Sequence, residues 1–140
     1  MPTAYLTRVV EFAATHRFRP PSWSPERVAA TFGKAAGDHA HRYTCGVTVK
    51  GPVSSETGGV MSLEALKQIV AEEVTARFDG RHINEDVPEF QDGGGRLPTG
   101  ETLAVYIWER VAARLPSGVR LHAVRVQEGP HLYSEYCGEA

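Results

Sequence analysis

An α+β fold follows from the order in which the hydrophobic period changes along the chain. His39 to Lys50 alternates as HAHRYTCGVTVK, the period of a strand with one face buried. From Ser62 the period lengthens, with Leu63, Leu66, Ile69, Val70 and Val74 at helical spacing to about Phe78. Two strand-like runs, VRLHAVRVQE and HLYSEYCGE, then close the chain. The predicted order is strand, strand, helix, helix, strand, strand: a four-stranded antiparallel sheet with two helices packed on one face.

The elements follow from their residues. Tyr5 to Phe18 reads as the first strand, since Val9, Val10 and Phe12 favour extended chain and no Gly or Pro interrupts them. RPPSWSPERVAATFGKAAGD is Pro-rich and then Ala-rich, which predicts a loop holding one short helix. GPVSSETGG is a turn cluster. Ser62 is placed to cap the first long helix, with Ala65 leaving the capping box unfilled. FDGRHINEDVPEFQDGGGRLPTG is a long connection, and loops of that length inside a compact domain are more often functional than idle. In ETLAVYIWERVAARL, Leu103, Ile107, Val111 and Leu115 form one stripe behind a cap at Thr99. Gly129-Pro130 separates the closing strands.

At 140 residues the chain is expected to be one domain, 1–140, with an ordinary hydrophobic share of 41%. The net charge of −2 and scattered Lys and Arg argue against nucleic acid. No run approaches the ~20 apolar residues that span a bilayer, and MPTAYLTRVVEF lacks the parts of a signal peptide. A cytoplasmic protein without membrane partners is the expectation. Cys45 and Cys137 have no metal-binding spacing.

His39 and His41 carry the chemical signal. Residues two apart in a strand share a face, so the two imidazoles project side by side and suit one metal ion. An H-x-H pair also arises by chance or serves only packing. A third ligand is needed, and His16 falls opposite the pair if the first two strands run antiparallel. Three imidazoles with an open fourth position are the usual catalytic zinc site.

Six segments in this order carry a family resemblance: EFAATHRF, FGK leading into DHAHRY, GGVMSLEALK, FDGRHIN, PTGETLAVYIWERV and VRVQE. The chain resembles the 6-pyruvoyl-tetrahydropterin synthase family, which includes the 6-carboxy-tetrahydropterin synthases, over nearly its whole length. The resemblance implies a T-fold, in which subunit sheets join into a barrel, and a homohexamer built as a dimer of trimers. It implies Zn2+ held by His16, His39 and His41, and a small pterin-like substrate anchored by Glu128 through its guanidine-like N–H edge. Thr99 and Glu101 match positions near the substrate pocket. Thr99 serves equally as a helix cap, and Glu101 equally offsets the helix dipole.

Two positions depart from the family. The cysteine that follows FGK and acts as proton-transfer base is Ala35 here, and the Asp-His pair that assists it is Asp79-Gly80. The resemblance therefore implies a zinc-dependent carbon–oxygen or carbon–carbon lyase acting on 7,8-dihydroneopterin triphosphate or a related dihydropterin, with an altered proton relay. A non-pterin carbonyl substrate and pterin binding without turnover stay open. His82, two residues beyond the lost histidine, is the candidate replacement base, and Asp79 the surviving member of the pair. Asp38 either orients a zinc-bound imidazole or is a plain turn residue. Cys45 is in phase with the histidines but ~13 Å further along the strand, a buried hydrophobe rather than a nucleophile. Trp23, in the Pro-rich loop, is a candidate to stack on a flat ligand.

Overall fold

Five strands form one sheet in the order β3-β1-β2-β4-β5, in a computed structural model that describes residues 2–92 and 95–139. β1 (Thr3–His16) and β2 (His39–Pro52) pair antiparallel over their whole lengths, from Thr3↔Pro52 to His16↔His39. β4 (Arg120–Gly129) pairs antiparallel with β2, and β5 (Leu132–Tyr136) with β4. All four expected strands form. The first ends at His16 rather than Phe18, because the Phe18 N–H turns away to the Ala35 carbonyl, 3.1 Å distant.

The fifth strand, β3 (Arg81–His82), corrects the four-stranded, wholly antiparallel sheet: it pairs parallel with Ala14 and Thr15. Two residues carry no readable period, so only tertiary contact makes this strand. Gly80, at φ 74°, takes the left-handed turn that glycine adopts freely and donates its N–H to the Ala13 carbonyl at 2.7 Å. Asp79 Oδ1 accepts the Ala13 N–H at 2.9 Å.

The helices after β2 pack on the sheet, and those starting at Leu63 and Gly100 supply the helical side of its core. α1 (Pro25–Phe32) is the expected short helix of the Pro-rich segment, capped by Ser24. α2 (Leu63–Val70) begins at the expected Ser62 cap, whose hydroxyl accepts the Ala65 N–H. It runs on through a π-helical turn at Ala71–Thr75 into α3 (Ala76–Phe78). The widened turn holds buried Glu73 against Arg77, Arg110 and Arg114, each 3.0 Å from its carboxylate. After α4 (Ile83–Asp86) comes α5 (Gly100–Ala112), capped by Thr99 as expected. Phe12, Tyr43, Cys45, Val47, Val124 and Val126 from the sheet pack with Leu66, Ile69, Leu103 and Ile107 from the helices in one core. Among the described residues no helix is long and apolar enough to cross a membrane.

Candidate metal centre

The β1–β2 ladder decides where the histidines meet. Its last register pair is His16↔His39, and His41 lies opposite Ala14, two residues before His16. All three side chains therefore leave the sheet on the face that further along carries Phe12, Tyr43 and Cys45. Their ring centroids stand 4.4 Å (His16–His39), 5.1 Å (His16–His41) and 5.0 Å (His39–His41) apart. One ligand nitrogen from each lies within 4.8 Å of the other two.

The hydrogen bonds around the rings suit a cation. His16 Nδ1 donates to the Pro98 carbonyl and His39 Nδ1 to the Gly37 carbonyl, both at 2.8 Å. A proton fixed on Nδ1 leaves the lone pair on Nε2, which is how a second layer of contacts prepares histidine ligands. Burial drops the pKa of His16 to about 4; the Pro98 carbonyl opposes the shift, and the neighbouring imidazoles of His39, His41 and His82 add to it. At neutral pH its ring is uncharged and has no proton to shed before ligation.

Glu128 belongs to the same site. It continues the inward face of β4 beyond Val124 and Val126, and its Oε1 is 4.0 Å from His16 Nε2. Burial raises its pKa above the ordinary carboxylate range, with the His41 imidazole pulling it down and the Glu101 charge adding to the rise. The start of α5 packs against it. A Cβ at position 100 would lie 2.8 Å from Ser134 Oγ and 3.8 Å from the Glu128 carboxyl carbon, so any larger residue requires the Ser134 side chain to shift. The Ser134 hydroxyl donates to Glu101 Oε1 at 3.4 Å. Thr99 Oγ1 accepts the Thr102 N–H at 3.2 Å as the helix cap.

Other expected residues lie apart. His82 pairs in register with Thr15, whose side chain leaves the sheet on the face opposite His16. There its Nε2 is 3.2 Å from Asp38 Oδ1 and 3.2 Å from Arg17 Nη1. A guanidinium only donates and a carboxylate only accepts, so Nε2 meets Arg17 as an acceptor or Asp38 as a donor according to the tautomer. Nδ1 is buried without a partner among the described residues. Asp38 thus holds Arg17 and His82 rather than a ligand imidazole. Asp79 is exposed and committed to the Ala13 backbone. Trp23 is already engaged by the Arg27 guanidinium, 3.5 Å from its ring, and by Phe32. It lines a cavity of about 410 Å3 with Pro20, Pro25 and Val28, and none of the three histidines lines that cavity. Cys45 is fully buried and its thiol is pushed up to about 12 by burial.

Two site residues were missed from the sequence. Tyr43 is fully buried with its hydroxyl 3.1 Å from His16 Nδ1, and burial raises its pKa. The alternation of His39 and His41 extends to it and was the available signal. Arg17, next to His16, gave no signal, because its partners are brought to it by the fold.

A family model described as 6-pyruvoyl tetrahydropterin synthase matches residues 5–139. The chain is 36% identical to human 6-pyruvoyl tetrahydrobiopterin synthase over 138 residues, 97% of this chain and 92% of that protein. It is 31% identical to the dihydroneopterin monophosphate aldolase of Pyrococcus furiosus over 91 residues, 65% of this chain and 70% of that protein. The solved 6-pyruvoyl tetrahydropterin synthase of Caenorhabditis elegans superposes with a TM-score of 0.89 at 29% identity, covering 99% of this chain and 98% of that one.

Proposed function

Because the chain belongs to the 6-pyruvoyl tetrahydropterin synthase family, we propose that it is a zinc-dependent lyase acting on the side chain of 7,8-dihydroneopterin triphosphate or a related dihydropterin. The observation that carries this reading is the meeting of His16, His39 and His41 beside the Glu128 carboxylate. Three imidazoles, two of them with the proton held on Nδ1 and the lone pair on Nε2, match the donor set of catalytic zinc. The ion, when bound, acts as a Lewis acid toward the substrate's side-chain oxygens.

The chain's own residues supply the rest. Glu128 offers two acceptor oxygens to the paired N–H edge of the pterin ring. Gly100 lets the start of α5 pack close beside it, while Thr99 sets that start and Glu101 flanks the carboxylate. Proton transfer falls to His82, whose ring Asp38 holds at Nε2. Asp79 takes part by fixing the turn into β3, which carries His82. Because His82 shares a face with Thr15, it serves a substrate that reaches round the end of β1 or one held by a neighbouring subunit. Assembly into a hexamer and a cytoplasmic location belong to this reading.

The missing cysteine and histidine at Ala35 and Gly80, with the likeness to an aldolase, favour carbon–carbon cleavage as the second form of the reaction. Incubating zinc-loaded protein with dihydroneopterin triphosphate and separating the products distinguishes them. Inorganic triphosphate marks carbon–oxygen elimination; a small phosphorylated aldehyde marks carbon–carbon cleavage. Absence of both with every divalent metal tried speaks against an enzyme. Replacing His82 by Asn is expected to lower kcat roughly 10²-fold or more, the usual worth of a positioned base, with metal content unchanged. A variant as fast as the parent moves the proton carrier elsewhere.

A further inference from the structure

We propose that Arg17 is a positioning residue for the metal centre, clamping from the opposite face of the sheet the two strand ends that carry His16 and His39. This inference rests on the metal reading given above.

The ladder stops at His16↔His39, so both of these ligands sit where strands fray unless something holds them. Arg17 directly follows His16, and Asp38 directly precedes His39. Arg17 Nη1 donates to Asp38 Oδ1 at 3.1 Å, which ties the two ends together one residue beyond the ladder. The same guanidinium donates to Glu85 Oε2 at 3.2 Å, and to Asp92 Oδ2 from Nε at 3.0 Å and Nη2 at 2.6 Å. The backbone of Arg17 is held as well. Its N–H donates to Asn84 Oδ1 at 2.9 Å, and its carbonyl accepts Asn84 Nδ2 at 3.0 Å. Asn84 is buried and also donates to Asp92 Oδ1 at 3.2 Å.

One planar fork thus joins the end of β1, the residue before β2, α4 and the loop at Asp92. A lysine keeps the charge and loses the fork, because an ammonium cannot present two donors to Asp92 Oδ2 while reaching Asp38. None of these contacts touches a ligand imidazole. Their effect on the ion passes through where the backbone places His16 and His39, and misplaced donors weaken metal binding.

The test measures metal affinity in purified Arg17→Lys and Arg17→Gln proteins by competition with a coloured chelator. The visible spectrum of the cobalt-substituted proteins and the melting of the metal-free proteins are recorded alongside. Arg42→Lys, on an exposed side chain of β2, is the control. The expected result is a zinc Kd weakened roughly 10–100-fold in Arg17→Lys, with an altered cobalt spectrum and a metal-free circular dichroism spectrum like the parent's. The control stays at parental affinity. If Arg17→Gln fails to fold, Arg17→Lys alone decides. Parental affinity and spectrum in Arg17→Lys overturn the proposal, as does lower metal-free melting with unchanged affinity, which marks a purely structural ion pair. A parent protein that binds no metal overturns the metal reading and this inference together.

Discussion

His41→Ala is expected to strip the protein of its metal and of its turnover while leaving the fold intact. Apparent binding energies of ~10–16 kcal/mol for structural zinc, shared over three or four ligands, put one imidazole at ~3–5 kcal/mol, roughly a hundred- to several-thousand-fold in Kd. His41 is the informative ligand. His16 is fully buried and bonded to Pro98, and His39 is bonded to Gly37, so removing either also disturbs packing or backbone. His41 is half-buried and makes no hydrogen bond among the described residues. Elemental analysis after dialysis, with circular dichroism as control, reads the result. Stoichiometric metal in dialysed His41→Ala would remove His41 from the coordination sphere.

Glu128→Gln is expected to uncouple stability from function. A charge-assisted hydrogen bond is worth about 1.5–3 kcal/mol, so losing the carboxylate lowers kcat/KM by about 10–150-fold on a pterin substrate. In the metal-free protein the same change is expected to raise the melting temperature near pH 7. Burial lifts the carboxyl's pKa in the folded state above its value in the unfolded chain. Between those two values the folded state holds the proton more tightly, so stability falls as pH rises through the window and stays lowered above it. Glutamine carries no such cost. Melting curves of both metal-free proteins from pH 4 to pH 8 are expected to converge at the acid end and to separate at neutral pH, with the variant the more stable. A variant that melts lower across the whole range shows that the carboxylate stabilises the fold, contrary to its burial.

The pair also separates two roles within one site. His41→Ala removes the ion and leaves the Glu128 contact to the ring, so ligand binding persists without chemistry. Glu128→Gln leaves the three imidazoles intact, so metal content persists while ring recognition weakens. Opposite patterns exchange the assignments.

Local chemistry made much of this legible in advance. Alternation through HAHRYTCGVTVK reports a half-buried strand because side chains in extended backbone point alternately to two faces. The same rule places His39, His41 and Tyr43 on one side. Ser62 and Thr99 cap the helices they precede because a hydroxyl there meets an N–H that the helix leaves unpaired. The order of the longer strands and helices and the facing of the H-x-H pair are properties of neighbours in the chain, and the sequence determined them by itself. The fold alone decided what depends on distant partners: the two-residue β3, the π turn around Glu73, the approach of Gly100 to Glu128, and the side of the sheet on which His82 lies. Arg17 is the clearest case, since Asp38, Glu85 and Asp92 stand 21, 68 and 75 residues away and only chain closure brings them to one guanidinium. Contacts of that kind have no period, because their energy is set by three-dimensional proximity that no short stretch of sequence encodes.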